Sequence, residues 1–144
     1  VNFSAQFEQK KLKVTVDEDD AESIYLITDP DRLRQIIVNL LSNAVRYTEA
    51  EGQIHIHREV NNHEWILHID DSPLGVSDAQ LAQLGQRFYR VDDSRTRSTG
   101  GTGLGLALSK QIAHILGGDL QFSHSPLGGL RCTVRLNRHL QKND

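Results

Sequence analysis

Four polar side chains recur at helical spacing within residues 30–48. They are Gln35, Asn39, Asn43 and Arg46, so a helix would place them on one face. Amide oxygens are suitable ligands for a hard cation such as Mg²⁺, and an arginine one turn further along can reach a phosphate. The alternative is an ordinary solvated helix face. Asparagine has poor helix propensity, and two of them at this spacing weigh against that alternative.

A second candidate site is the segment DSPLG at 71–75, which follows an apolar, β-prone segment. The carboxylate of Asp71 could accept hydrogen bonds from an exocyclic amine such as that of adenine, and Gly75 would let the backbone pass close to the base. An aspartate where a strand leads into a turn is also common for purely structural reasons. By itself this segment is weak evidence for a nucleotide site.

A third candidate is the glycine-rich segment GGTGLGL at 100–106. Small residues allow close backbone approach, and the first turn of a following helix directs N–H groups toward a phosphate. A Rossmann dinucleotide site would need a preceding strand, whereas the residues before 100 lack periodicity. The P-loop pattern fails as well, because no lysine follows the last glycine. The segment is therefore interpreted as a different kind of phosphate-binding turn.

The apolar pattern predicts the elements that carry these residues. Asp29 is the expected N-cap of a helix that ends near Thr48, and one stripe of that helix is apolar. A short helix is predicted from Ser77 to about Leu84, and a longer one over 104–116. The predicted strands are 11–16, 23–28, 53–60, 65–69, 120–122 and 130–136.

The order of these elements predicts an α/β two-layer sandwich, in which helices cover one face of a mixed sheet. The long polar segment 85–103 has no periodicity and is predicted to be a functional lid.

With 38% hydrophobic residues, the chain can form one buried core. The net charge of −3 gives no field that would attract nucleic acid or a membrane surface. The single cysteine, Cys132, excludes an internal disulfide and is expected to be a core residue.

Together these motifs, in this order, resemble the ATPase domain shared by histidine kinases, DNA gyrase, heat-shock chaperones of this fold and MutL mismatch-repair proteins. The resemblance is strongest to bacterial two-component sensor histidine kinases. Residues 31–48 resemble their asparagine box, RFYR at 87–90 their phenylalanine box, and 101–106 their second glycine box. The resemblance covers roughly 11–136. It implies a Bergerat-type ATP-binding fold and a single kinase domain over 1–144.

The resemblance also implies a role for each matching residue. Asn43 would hold Mg²⁺ with help from Asn39, and Asp71 would bind adenine. Arg46 would contact phosphate, and Arg90 would stabilise the transferring phosphoryl group, so Asn39 and Arg90 are the implied catalytic residues. Further ATP contacts are implied for Tyr47, Gly75, Gly101, Thr102, Gly103, Leu104, Gly105, Leu106 and Thr133. Thr133 would support the Asp71 end of the pocket, with a plain strand residue as the alternative.

The implied reaction is transfer of the γ-phosphoryl group of ATP to a histidine, and from there to an aspartate of a response regulator. No histidine in this chain has the sequence context of such an acceptor. The acceptor histidine is therefore expected on dimerisation helices outside this chain, and the sensor domains outside it as well. The resemblance implies a cytoplasmic domain of a homodimeric inner-membrane sensor, with no contact of its own with membrane or nucleic acid.

Two other functions remain open. An ATP hydrolase of the chaperone or gyrase type would need a glutamate where Asn39 stands, because asparagine cannot act as the base that activates water. A nucleotide-binding regulatory module without kinase activity is disfavoured by the presence of Asn43 and Asp71. Pro73 replaces a glycine that is usual in this family, which predicts a stiffer loop after Asp71. The seven histidines are interpreted as surface and strand residues rather than metal ligands.

Overall fold

The computed structural model describes residues 3–17, 26–73, 76–86 and 104–138. In chain order the elements are α1 (Ser4–Lys10), β1 (Lys13–Val16), α2 (Pro30–Tyr47), β2 (Gln53–Val60), β3 (Glu64–Asp71), α3 (Asp78–Gln83), α4 (Leu104–Ile115), β4 (Gly118–His124) and β5 (Leu130–Asn137). The strands form a five-stranded sheet in the order β1-β2-β3-β5-β4. β1 is parallel to β2, and the other neighbours are antiparallel. The predicted mixed sheet is confirmed.

α2 carries the candidate polar stripe and follows its sequence signals closely. Its N-cap is Asp29, whose Oδ1 accepts hydrogen bonds from the backbone N–H groups of Asp31 at 3.1 Å and Arg32 at 3.3 Å. Pro30 occupies the first turn, where its missing N–H costs nothing. The buried residues Ile36, Leu40 and Ala44 form the apolar stripe. This stripe fixes which way the polar residues of α2 point.

The hydrophobic core lies between the helices and one face of the sheet. Alternate strand residues contribute to it, among them Ile54, Leu67, Ile69, Cys132, Val134 and Leu120. α2 and α4 contribute the apolar residues that cover them, including Ile36, Leu40, Ile112 and Ala113. Burial in this core raises the pKa of the Cys132 thiol, so the expectation that it is a core residue rather than a reactive thiol is confirmed.

Two local features differ from the sequence prediction. Periodicity does not predict α1, a helix of seven residues whose Phe7 ring stacks at 5.9 Å on the ring of the N-cap residue Phe3. The strand predicted over 23–28 is absent from residues 26–28, and its other residues lie outside the described ranges. The predicted lid over 85–103 also lies outside them, apart from residues 85 and 86. Among the described helices, none has the length and apolarity to cross a bilayer.

Candidate nucleotide site

The two asparagines of the polar stripe lie in α2 and are partly buried. The Asn39 amide nitrogen donates a hydrogen bond of 3.1 Å to the Ser109 hydroxyl in α4, and Ser109 is fully buried. This bond fixes the Asn39 amide, and its oxygen is the atom that could meet a cation. Sequence reasoning missed Ser109. The available signal was a polar residue within the otherwise apolar stripe of α4.

The last turn of α2 carries Arg46 and Tyr47, and the Arg46 guanidinium carbon lies 5.9 Å from the centre of the Tyr47 ring. Lys10, the last residue of α1, binds the backbone at the end of this turn. Lys10 Nζ donates hydrogen bonds to the backbone oxygens of Val45 at 2.6 Å, Arg46 at 3.1 Å and Thr48 at 2.6 Å. The last carbonyl groups of a helix have no N–H partner within the helix, so the Lys10 ammonium group supplies the missing hydrogen-bond donors. Desolvation lowers the pKa of Lys10.

Asp71 is the last residue of β3 and is buried. Its Oδ1 accepts a hydrogen bond of 2.7 Å from the backbone N–H of Leu130, and its backbone oxygen accepts one of 3.1 Å from Gly129. Burial raises the pKa of the Asp71 carboxyl group to about 7, although the Leu130 hydrogen bond opposes this. The negative charge of Asp70 raises it further. A buried carboxyl group with one oxygen already bonded is thereby placed at the end of the central strand.

Gly129 packs its backbone directly against this carboxyl group. A Cβ at this position would lie 2.1 Å from Asp71 Oδ1 and 2.5 Å from the backbone oxygens of Asp71 and Ser72. No side chain larger than hydrogen fits there. Sequence reasoning interpreted the surrounding turn only as a connection between strands and missed this role. The signal was the pair of glycines directly before β5.

The loop after Asp71 is tied to the end of α2. The backbone N–H of Glu49 donates a hydrogen bond of 2.9 Å to the Pro73 oxygen, and the N–H of Ser72 donates one of 3.0 Å to Gln53 in β2. Thr48, at the C-cap of α2, is buried, and its hydroxyl is one of two buried side-chain atoms without a partner in the described part of the chain. The Asp71 loop and the Arg46 turn therefore form one junction.

The structure corrects the expected role of Thr133. Its hydroxyl lies 3.0 Å from His68 Nδ1, and both residues project from the sheet face that the helices do not cover. Asp71 projects from the opposite face, because side chains alternate along a strand. The Thr133 side chain therefore does not support the Asp71 carboxyl group, and the backbone N–H of Leu130 takes that place.

Several of the implied ATP contacts lie outside the described residues. These are Gly75, Arg90, Gly101, Thr102, Gly103 and the side chain of Leu104. Gly105 and Leu106 stand in the first turn of α4. A Cβ at Gly105 would meet no described atom within 4 Å, so packing in the described part of the chain does not require glycine there. Gln35 of the polar stripe is exposed.

The donors and acceptors carried by α2 and by Asp71 are of the kinds that bind a magnesium nucleotide. They comprise two amide side chains on α2, a guanidinium group in its last turn and a buried carboxyl group under a glycine. Sheet, helices and site together define the class of an ATP-binding domain. A family model described as "Histidine kinase-, DNA gyrase B-, and HSP90-like ATPase" matches residues 28–140, and the chain belongs to this family.

Individual relatives narrow the comparison to sensor kinases. The signal transduction histidine-protein kinase BaeS of Escherichia coli (strain K12) is 41% identical over 142 residues, which cover 97% of this chain and 30% of BaeS. The sensor histidine kinase YkoH of Bacillus subtilis (strain 168) is 36% identical over 120 residues, which cover 83% of this chain and 26% of YkoH. The chain thus spans less than a third of either relative.

Solved structures share the fold. The catalytic domain of histidine kinase ThkA superposes with a TM-score of 0.78 at 19% identity, over 94% of this chain and 86% of that one. The histidine kinase AdeS of Acinetobacter baumannii superposes with a TM-score of 0.73 at 29% identity, over 96% of this chain and 60% of that one. The chain is homologous to the catalytic domains of sensor histidine kinases, as the ordered motifs predicted.

Proposed function

We propose that this chain binds Mg-ATP and transfers the γ-phosphoryl group to a histidine on a dimerisation domain outside the chain. The observation that carries the proposal is the junction between the Asp71 loop and the last turn of α2. There the loop that follows a buried acceptor suited to a base is hydrogen-bonded to the segment directly after a helix that carries amide and guanidinium groups. A nucleotide needs both kinds of group at one site.

Asp71 would bind the adenine end. Its Oδ1 is engaged by Leu130, so its second oxygen is the acceptor for the exocyclic amine of the base. Gly129 lets the turn before β5 pack directly against the carboxyl group, which brings the Leu130 N–H to Oδ1. The base-reading function needs the ionised carboxylate, which accepts hydrogen bonds at both oxygens.

Asn43 and Asn39 would hold Mg²⁺ through their amide oxygens, and Arg46 would bind phosphate. Phosphoryl transfer depends mainly on positioning and charge neutralisation, which the bound Mg²⁺ supplies together with arginine side chains. Ser109 positions the Asn39 amide through its 3.1 Å hydrogen bond. Lys10 positions the Arg46 turn through the helix carbonyls. Arg90 and the 101–106 segment complete the proposed site.

Transfer is favoured over hydrolysis because Asn39 cannot serve as a general base. Its amide nitrogen is bonded to Ser109, so the side chain acts as a fixed dipole rather than a proton acceptor. An ATP hydrolase of the same family remains the second candidate. Such a hydrolase would require a carboxylate of another residue to activate the attacking water.

The full-length protein is proposed to be a homodimeric inner-membrane sensor with this domain in the cytoplasm. The acceptor helices of the same protein would receive the phosphoryl group, and a response regulator would receive it from them. The names of the relatives, which include a signal transduction histidine-protein kinase and two sensor histidine kinases, support the signalling role in this proposal.

Phosphohistidine formation tests the proposal. The full-length protein, with its acceptor helices, is incubated with Mg²⁺ and ATP labelled at the γ-phosphate, and label on the protein is tested for the acid lability of phosphohistidine. We expect labelled protein in the wild type and its loss in Asn43→Ala, with Asn61→Ala in the β2–β3 turn as the control. Rapid release of phosphate without labelled protein would favour the hydrolase, and ATP binding without either product would favour the regulatory module.

A further inference from the structure

The sheet face that the helices leave uncovered carries a cluster of imidazole and carboxyl groups. His55 and His57 stand two residues apart on β2, so both project from this face. In the antiparallel register His55 is opposite Asp70 and His57 is opposite His68 on β3. The sequence alone interpreted these histidines as ordinary strand residues, and strand pairing brings three of them together.

Three of these residues offer metal-ligating atoms at close range. One such atom each from His55, His57 and Asp70 lies within 4.8 Å of the other two. His57 Nε2 and Asp70 Oδ2 are 3.0 Å apart, and the rings of His55 and His57 stack at 4.6 Å. Ligands at about 2.0–2.2 Å from an ion lie closer to one another than 4.8 Å. Binding would therefore require the partly exposed His55 ring to rotate toward the other two ligands.

Neighbouring groups orient these ligands. Asp17 Oδ1 lies 2.9 Å from His55 Nε2, the carboxylate–histidine arrangement that commonly supports a ligating imidazole through its other nitrogen. Arg131 donates hydrogen bonds to both Asp70 oxygens, at 2.6 Å and 2.8 Å, and so fixes the carboxylate plane. Asp70 is almost completely buried, and its rotamer is therefore restrained.

The charges around the cluster allow a cation despite the arginine. Glu59 Oε2 lies 3.3 Å from His68 Nε2, so Asp17, Glu59 and Asp70 bring three carboxyl groups to this face. Arg131 opposes the ion, since its Nη2 lies 3.3 Å from His57 Nε2. An ion at His57 would replace the hydrogen that this nitrogen shares with Asp70, and Arg131 would keep its bonds to the carboxylate.

We propose that His55, His57 and Asp70 bind a divalent transition-metal ion of the zinc class, with water at the remaining position. Two imidazoles and one carboxylate form a ligand set typical of Zn²⁺, whereas Mg²⁺ and Ca²⁺ prefer oxygen ligands. The site lies on the opposite sheet face from Asp71. The test of this metal site therefore does not depend on whether the chain binds a nucleotide.

The proposal is tested by titrating the chelator-treated chain with Zn²⁺ in the absence of nucleotide, with binding followed by calorimetry. Co²⁺ serves as the optical probe, because its visible absorption reports a four-coordinate site with imidazole ligands. His55→Gln and His57→Gln are compared with His114→Gln. His114 is a matched control, because it lies 3.0 Å from the Asp119 carboxylate but on α4, away from the cluster.

We expect saturable binding at a single site, weakened at least about tenfold in His55→Gln and His57→Gln and unchanged in His114→Gln. NMR of the wild type adds a readout that does not depend on how the variants fold, and the imidazole signals of His55 and His57 should shift together with Zn²⁺. Absence of saturable binding, or equal weakening in all three variants, would show that the cluster is only a hydrogen-bonded network.

Discussion

Asp70 and Asp71 are consecutive residues of β3 whose carboxyl groups lie on opposite faces of the sheet. Although burial opposes its ionisation, hydrogen bonds from Arg131 and His57 lower the pKa of Asp70. Among the described residues, only the Leu130 N–H donates a hydrogen bond to the Asp71 carboxyl group, and burial raises the pKa of Asp71 to about 7. One peptide step thus separates a carboxylate held ionised by Arg131 and His57 from a carboxyl group that burial keeps protonated to higher pH.

Replacing Asp71 by asparagine is expected to weaken ATP binding. A hydrogen bond to a charged group contributes about 1.5–3 kcal/mol, which corresponds to roughly tenfold to somewhat over a hundredfold in affinity. The preference for adenine over guanine nucleotides should fall as well. Calorimetry at about pH 8 measures both, with Asp78→Asn at an exposed helix start as the control. If affinity and base preference both persist, another group binds the base.

The same substitution is expected to stabilise the chain without nucleotide. Because the pKa of Asp71 is raised in the folded state, the folded chain binds this proton more tightly than the unfolded chain does. This group therefore lowers the free energy of unfolding progressively from about pH 4 to about pH 7, and the loss is complete above that range.

At about pH 8, Asp71→Asn should raise the free energy of unfolding by roughly 1–3 kcal/mol, and the gain should vanish near pH 4. Urea unfolding of the metal-free chain in EDTA at both pH values measures the difference. A gain of equal size at both pH values would mean that it does not come from the carboxylate charge.

Lys10→Met is expected to destabilise the chain by roughly 1–3 kcal/mol, because it leaves the carbonyls at the end of α2 without their donor. ATP affinity should fall too, since Arg46 stands in that turn. Chemical unfolding and calorimetry give the two values. Lys13→Met, at an exposed position of β1, is the control and should change neither. Unchanged stability in Lys10→Met would mean that water replaces the ammonium group without cost.

Gly129→Ala is expected to lower the free energy of unfolding by roughly 1–3 kcal/mol, because the added methyl group would overlap the Asp71 carboxyl group. Gly105→Ala should have no such cost, since its methyl group would meet no described atom and alanine favours a helix. Thermal unfolding of the two variants makes the comparison. Equal melting temperatures would mean that the β5 turn relaxes to accept the methyl group.

The chain by itself is expected to bind ATP with Mg²⁺ yet to release little phosphate. Asn39 offers no base for water, and no histidine of the chain has the context of an acceptor. Calorimetry and a phosphate-release assay on one preparation measure both properties. Rapid release that persists in Asn43→Ala would point to a contaminating hydrolase, and rapid release lost in that variant would contradict the kinase proposal.

Local signals in the sequence were sufficient for the elements that carry the site. Asp29, Pro30 and the apolar stripe predicted α2, and the alternating residues of 53–60 predicted β2. These signals work because a helix cap and side-chain periodicity depend on residues a few positions apart. The ordered motifs predicted the family for the same reason, since each motif is a contiguous segment.

Only the tertiary structure decided which distant groups meet. Lys10 of α1 bonds to the carbonyls at the end of α2, and Ser109 bonds to Asn39. Both contacts join residues 35 or more positions apart, for which no local pattern exists. Thr133 was expected near Asp71, but the register of β3 with β5 turns its side chain to the other face. The same alternation gathers His55, His57 and Asp70 on that face. Register is set by the packing of the whole sheet, because a shift of one residue would exchange its two faces.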